Sequence, residues 1–352
     1  GKIEQIVKPS SDRIQSDCAA SRRCGGCKFR PVRYEAELRY KQEFVQSNLR
    51  RIGGFDLEVE PIAPSPQQVG YRNKAQYPVQ MKKGQLCAGF FASRTHKVID
   101  CHDCKLQPEI FQTVLETVLS FVEEYKISVY DEQTGKGLLR HVYIRYGQES
   151  GEMMVCLVIN GKAIPHSDKL VEALRACNQQ IVSILLNINT QNTNVILGKT
   201  NQLLFGKLDI SDTLCSVRFD SSPLAYYQVN HDGAQQLYQI AADYADLAQT
   251  DTVLDLYCGA GTIGLSMAHR CREVIGVEII PQAIENAISN AEKNHIRNAR
   301  FFCADAAKAA ERLAREGVRP NVVVLDPPRK GCEPSVLHSI DKTNPDRIVM
   351  VS

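Results

Sequence analysis

The chain has 352 residues, 43% of them hydrophobic and 23% charged, with 42 Lys and Arg against 40 Asp and Glu. That length carries two or more domains with cores of their own, and no apolar run approaches the roughly 20 residues that a membrane-spanning helix needs. The N-terminal GKIEQIVKPSSDR lacks the apolar stretch of a secretory signal, so a cytoplasmic location and no membrane partner are expected. Charge is uneven: residues 1–100 hold 18 basic against 10 acidic side chains, and the rest hold 24 against 30. A basic first third suggests a polyanion partner such as nucleic acid, with a solvated basic face as the plainer alternative.

Near the N-terminus, SDCAASRRCGGCKF places Cys18, Cys24 and Cys27 together in a chain of thirteen cysteines. In a reducing compartment such clusters are metal ligands or reactive thiols more often than disulfides. Zinc sites usually come as two close pairs, whereas this triplet needs one distant ligand, and VIDCHDCKLQ offers Cys101 and Cys104. Zinc and an unligated redox pair stay open at this point. Cys156, Cys177, Cys215, Cys271 and Cys303 stand in apolar contexts and read as small core residues.

Next, YEAELRYKQEFVQSNLRRI has helical spacing over 34–52, and Gly53–Gly54 stop it. Residues 70–97 read as a hairpin around KKGQ. A helix over 108–125, strands HVYIRYG and MMVCLVIN, a helix HSDKLVEALRAC and strands IVSILLNIN, VILGK and CSVRFD follow. This middle section predicts an α+β domain with an antiparallel sheet.

After Ser221, TVLDLY, EVIGVE, RFFC and VVVLD alternate with helices near 263–270, 281–294, 306–317 and 333–341. Such alternation specifies a parallel, doubly wound sheet. RIVMVS begins a fifth strand where the sequence ends, so the expectation is a fragment with an incomplete sheet.

VLDLYCGAGTIGL sets Gly259, Gly261 and Gly264 between a strand and a helix. Glycines admit close approach of a ligand to the backbone, and the helix start presents free N–H groups. Glu278 ends the next strand, where a carboxylate can accept both hydroxyls of a ribose. Asp255 inside the first strand, Asp305 after the third and the stiff LDPPRKG after the fourth favour S-adenosylmethionine over a nicotinamide dinucleotide.

The segments AYYQVN, LDLYCGAGTIGL, GVEIIPQAIENA, LDPPRKGC, GYRNKAQYPV and LLRHVYIR resemble the RumA/TrmA-type uracil-5 RNA methyltransferases over nearly the whole chain. The resemblance implies a Rossmann-like class I S-adenosylmethionine-dependent methyltransferase domain at 221–352, preceded by an α+β iron–sulfur and RNA-binding domain at 15–220. Residues 1–14 would be the end of an OB-like TRAM domain. It implies that Gln228, Tyr257, Gly259, Thr262, Glu278, Asp305 and Asp326 contact the cofactor, with Asp326 also supporting catalysis. It further implies that Cys18, Cys24, Cys27 and Cys104 hold a 4Fe–4S cluster, Cys101 being a neighbour or rival ligand. The cluster marks the family's 23S ribosomal RNA branch, which the tRNA branch generally lacks.

The implied reaction adds a cysteine thiolate to uracil C6 of a flipped-out base, so that C5 attacks the sulfonium methyl. That cysteine lies in an SCNP motif expected just after Ser352, with a glutamate base further on, so the chain as given would be inactive. Arg22, Arg23, Lys28, Arg72, Lys74, Arg94 and Arg329 are the candidate RNA contacts. A monomer is expected. The alternatives are a tRNA uracil-5 methyltransferase and a non-catalytic RNA-binding iron–sulfur protein on the same scaffold.

Overall fold

The computed structural model describes residues 4–225 and 227–351; residues 1–3, Tyr226 of AYYQVN and Ser352 lie outside them. The chain forms two compact units, residues 1–145 with 153–207, and residues 146–152 with 208–352.

In the first unit, α1 (Tyr34–Arg51) opens with Glu35 and Glu37 and closes with Arg50 and Arg51, matching the helix dipole at both ends. Strands β1 (Lys74–Lys82) and β2 (Gln85–Phe91) form the expected antiparallel hairpin. Its two turn residues, Lys83 and Gly84, both have left-handed φ (52° and 79°), as a tight two-residue turn requires. With β3 (Val98–Asp100), β4 (Leu139–Tyr146), β5 (Met153–Ile159), β6 (Ile181–Ile188) and β7 (Thr200–Gly206), the sheet runs β3-β2-β1-β4-β5-β6-β7. Helix α2 (Ile110–Glu124) buries seven apolar residues, and every residue of β5 is buried.

Two sequence expectations fail here. The sheet is mixed, since β5 and β6 pair in parallel with α3 (Ser167–Cys177) as the crossover between them. VILGK is not a strand, because distant side chains take its backbone groups. Asn187 both accepts from Gly198 N–H (2.6 Å) and donates to Gly198 C=O (2.9 Å), and Asn189 donates to the carbonyls of Val195 and Ile196. The buried Arg140 guanidinium donates to the carbonyls of Asn189 and Gln191, each at 2.8 Å. The ladder to β6 therefore starts only at Thr200.

In the second unit, β8 (Ile210–Leu214) and β9 (Val217–Ser221) form a hairpin. CSVRFD was expected as strand throughout, but Cys215 and Ser216 turn at φ 49° and 63°. Helix α4 (His231–Ala245), absent from the sequence expectation, starts where Asn230 accepts from Gly233 N–H at 3.0 Å. The parallel sheet follows: β10 (Thr252–Leu256), β11 (Glu273–Glu278), β12 (Ala299–Cys303), β13 (Val322–Leu325) and β14 (Arg347–Met350). Helices α5 (Thr262–Met267), α6 (Pro281–Lys293), α7 (Ala306–Arg315) and α8 (Pro334–Thr343) connect them.

The order β12-β11-β10-β13-β14 reverses direction between β10 and β13, which opens a crevice at the carboxyl ends of those strands. Apolar clusters on both sheet faces hold this frame: Val253, Val322 and Val324 with α4, Leu254, Leu256 and Leu325 with α7 and α8. The fold is thus α/β, with a doubly wound methyltransferase-type sheet. Cys156 and Cys271 are buried as expected of core thiols, whereas Cys303, the last residue of β12, is exposed. No described helix is long and apolar enough to cross a membrane.

Candidate functional site

After β10 the chain turns through Tyr257, Gly259 and Gly261 at φ 65°, 54° and 80° before entering α5. A tyrosine in the left-handed region is strained, and such strain persists where surrounding bonds enforce it. Asp255 supplies one: its fully buried Oδ2 accepts from Gly264 N–H at 2.9 Å. A Cβ on Gly264 would lie 2.8 Å from that same oxygen, which accounts for the third glycine. Asp255 Oδ1 has no partner. Burial first, then the charges of Asp326 and Glu278, pushes the Asp255 carboxyl up to about 7.

Glu278 ties the loop from the other side. Its Oε2 accepts from Gly259 N–H (3.2 Å), and Oε1 from Ile279 and Ile280 N–H (2.8 and 3.0 Å). A carboxylate has about four lone-pair directions; three are taken, so Oε2 keeps one for a ligand hydroxyl. Asp326 directly follows β13 and is half-buried; desolvation raises its carboxyl, and it accepts no hydrogen bond among the described residues.

The remaining residues expected at the cofactor divide. The Gln228 side chain bonds the Tyr238 hydroxyl, which also stands 3.4 Å from Thr262 Oγ1, so Tyr238 of α4 joins two of them. Sequence reading missed Tyr238 together with its helix. Asp305 caps α7, accepting from Lys308 N–H at 3.1 Å, which leaves its second oxygen for a ligand. The Tyr257 hydroxyl meets the Cys332 thiol, and burial raises it to about 12.

The charge of this cradle selects among cofactors. Asp255 feels the negative charges of both Asp326 and Glu278. Three carboxyl groups oppose a pyrophosphate and favour a cationic sulfonium.

The tRNA (uracil-5-)-methyltransferase family matches residues 33–352. The chain belongs to this family. It is 38% identical over its whole length to an uncharacterized RNA methyltransferase of Clostridium tetani, covering 76% of that protein. A counterpart in Halalkalibacterium halodurans is 40% identical, again over the whole chain and 77% of the relative. Among solved structures, the Pyrococcus abyssi tRNA (uracil-54, C5)-methyltransferase in complex with S-adenosyl-L-homocysteine superposes with a TM-score of 0.80 at 26% identity, over 98% of this chain and 78% of that one. The family's chemistry is S-adenosylmethionine-dependent methylation of RNA at uracil C5, and the cradle suits that cofactor.

In the first unit, Cys18, Cys24, Cys27 and Cys104 line a single cavity of about 300 Å³, with Cys101 as a fifth thiol. Burial raises the Cys24 and Cys27 thiols. Cys104 is instead held near 6, first by the Cys101 thiol hydrogen bond and further by the N–H groups of Leu106 and Gln107, against its own desolvation. Among the described residues no three His, Cys, Asp or Glu side chains are grouped to hold one metal ion. The zinc alternative therefore finds no single-ion site. Soft thiolates converging on a shared cavity fit an inorganic cluster, in which each iron takes one cysteine.

The basic residues also divide. Arg22, Arg23, Lys28 and Arg94 are exposed in the first unit, and Arg329 in the second. Arg72 and Lys74 are half-buried in the wall of the cysteine cavity, beside Arg30 and Gln107, neither of which sequence reading had singled out. Burial and the neighbouring Arg145 and Arg72 push Lys74 down to about 8.

Proposed function

We propose that this chain methylates C5 of a uracil in 23S ribosomal RNA, acting as a monomer with a 4Fe–4S cluster on Cys18, Cys24, Cys27 and Cys104. The observation that carries the reaction is Asp326, a half-buried carboxyl without a hydrogen-bond partner among the described residues at the sheet's switch point. The convergence of the four cysteines on one cavity supports the cluster, and with it the ribosomal branch.

S-adenosylmethionine, when bound, supplies the sulfonium methyl. Glu278 holds its ribose, Gln228 its methionine end and Tyr257 its adenosine, while Gly259 and Thr262 line the approach and Asp305 receives the adenine edge. Asp326 orients the uracil or the sulfonium group at the reacting end. A thiolate adding to uracil C6 would make C5 nucleophilic; methyl transfer to C5 would break the S–CH3 bond and release S-adenosylhomocysteine, after which a base would take the C5 proton and the thiolate would leave with the C6–S electron pair. The reading does not take this thiolate from Cys258, which is buried within the loop, or from Cys332, which faces Tyr257. The cluster fastens a segment with little core of its own. Exposed Arg22, Arg23, Lys28, Arg94 and Arg329 contact RNA.

Likeness to a tRNA (uracil-54, C5)-methyltransferase favours tRNA as the second reading. Incubation of the protein with labelled cofactor and either 23S transcript or bulk tRNA, followed by nucleoside analysis, decides it. 5-Methyluridine in the ribosomal transcript supports the proposal. Label in tRNA alone transfers the substrate, and no label in either favours a non-catalytic binding protein.

A further inference from the structure

Arg72 and Lys74 line the cysteine cavity rather than an open RNA-facing surface. Both are half-buried, and neither has an ion-pair partner among the described residues. Arg30, the third cation of that wall, differs, because it is paired with Asp17. Lys74 also feels the positive charges of Arg72 and Arg145. Two partly desolvated cations, close to each other and lacking a carboxylate, are costly unless an anion completes the site. The other polar groups of the wall are the thiols and the neutral Ser21, Gln76 and Gln107; the buried Gln107 Oε1, unpartnered among the described residues, is an acceptor that cannot supply a full counter-charge.

We propose that Arg72 and Lys74 are the counter-cations of the metal–thiolate group and not phosphate-binding residues. The inference rests on the cluster reading above. Four thiolates around a 4Fe–4S core leave a net negative charge, which grows by one when the core gains an electron. Two fixed cations in the cavity wall stabilise the reduced state more than the oxidised one. Their charge, more than their shape, is what the site uses, so arginine and lysine are interchangeable at position 74.

The test uses full-length protein, purified and reconstituted without oxygen and titrated with dithionite, which donates the single electron. Iron and acid-labile sulfide are measured for wild type, Lys74→Met, Arg72→Gln and the charge-preserving Lys74→Arg. Each neutral variant should keep its iron but be about tenfold harder to reduce, a fall of about 59 mV for a one-electron couple. Lys74→Arg should stay at the wild-type potential. RNA binding by Lys74→Met should keep the wild-type salt slope, whereas loss of a phosphate contact would lower that slope by about one.

A loaded cluster with unchanged potential in both neutral variants overturns the counter-cation role alone, as does a reduced salt slope. A wild-type chain that takes up no iron overturns the cluster reading, and this role falls with it. If a neutral variant misfolds, the Lys74→Arg potential still decides: a shift as large as tenfold there refutes a role based on charge.

Discussion

Glu278→Ala tests the cofactor cradle most directly. In the free protein this carboxylate already accepts three backbone hydrogen bonds, one from Gly259 and two from the start of α6. On the proposed reading its remaining lone pair, on Oε2, accepts a ribose hydroxyl. Hydrogen bonds to a charged group are worth about 1.5–3 kcal/mol each when their partner is removed. Loss of that bond amounts to about 1.5–3 kcal/mol, or roughly 10- to 150-fold in Kd. Release of Gly259 loosens the loop and adds to the loss. Glu278→Gln keeps one oxygen and should fall between, near tenfold. Calorimetry with S-adenosylhomocysteine measures both, and a ligand lacking its ribose hydroxyls closes a double-mutant cycle. Wild type should prefer the full ligand strongly, and Glu278→Ala should hardly distinguish the two. An alanine variant with wild-type affinity, or one that still discriminates, refutes the ribose assignment.

Gly264→Ala places a Cβ 2.8 Å from both Asp255 Oδ2 and Val274 Cγ1, and it should destabilise the protein by about 1–3 kcal/mol in urea unfolding. Asp255 should make stability fall with rising pH: protonated in both states at low pH, it ionises in the unfolded chain near 3.8 but in the folded one only near 7. The penalty grows across that window to about 4 kcal/mol and is then constant, so Asp255→Asn should flatten the urea midpoint between those pH values. Cys24→Ser should lose the iron that Cys156→Ser retains, by iron and sulfide assay, since only Cys24 faces the cavity. Arg94→Ala should lower the salt slope of RNA binding by about one, in filter-binding titrations.

How legible these features were depended on whether the forces that fix them are local. The glycine loop could be read because three glycines, a strand and a helix start stand within a dozen residues. The KKGQ turn was equally local. Helix α4 escaped because its buried face consists largely of alanines (Ala234, Ala241, Ala242 and Ala245), while Leu237 and Tyr244 point outward and blur the apolar stripe. VILGK misled because the side chains of Asn187 and Asn189 take its backbone groups and override its strand propensity. Arg72 and Lys74 could be recognised as basic, but only the folded chain sets them in the cysteine cavity.

The two candidate sites differ in how far the polypeptide alone completes them. Around the glycine loop, Asp255 spends one oxygen and Glu278 both on backbone N–H groups, so the loop is braced before any ligand arrives. Preorganisation of that kind lowers the ordering cost of binding. The cysteine cavity has the opposite character: among the described residues Arg72 and Lys74 lack an ion-pair partner and the Gln107 oxygen lacks a hydrogen bond, and all three face the thiols. Its residues come from segments with few regular elements, and only Ala20, Ile99 and Cys101 are buried in the apolar cluster beneath them. On the proposed reading, a site of this kind needs the cluster in order to hold its shape. Metal removal should therefore melt the region around Cys18–Cys27 and Cys101–Cys104, visible as faster amide exchange there. The second unit should keep its exchange protection and its affinity for S-adenosylhomocysteine. Equal loosening of the parallel sheet would mean that the cofactor cradle is braced by the metal site after all, and not by Asp255 and Glu278.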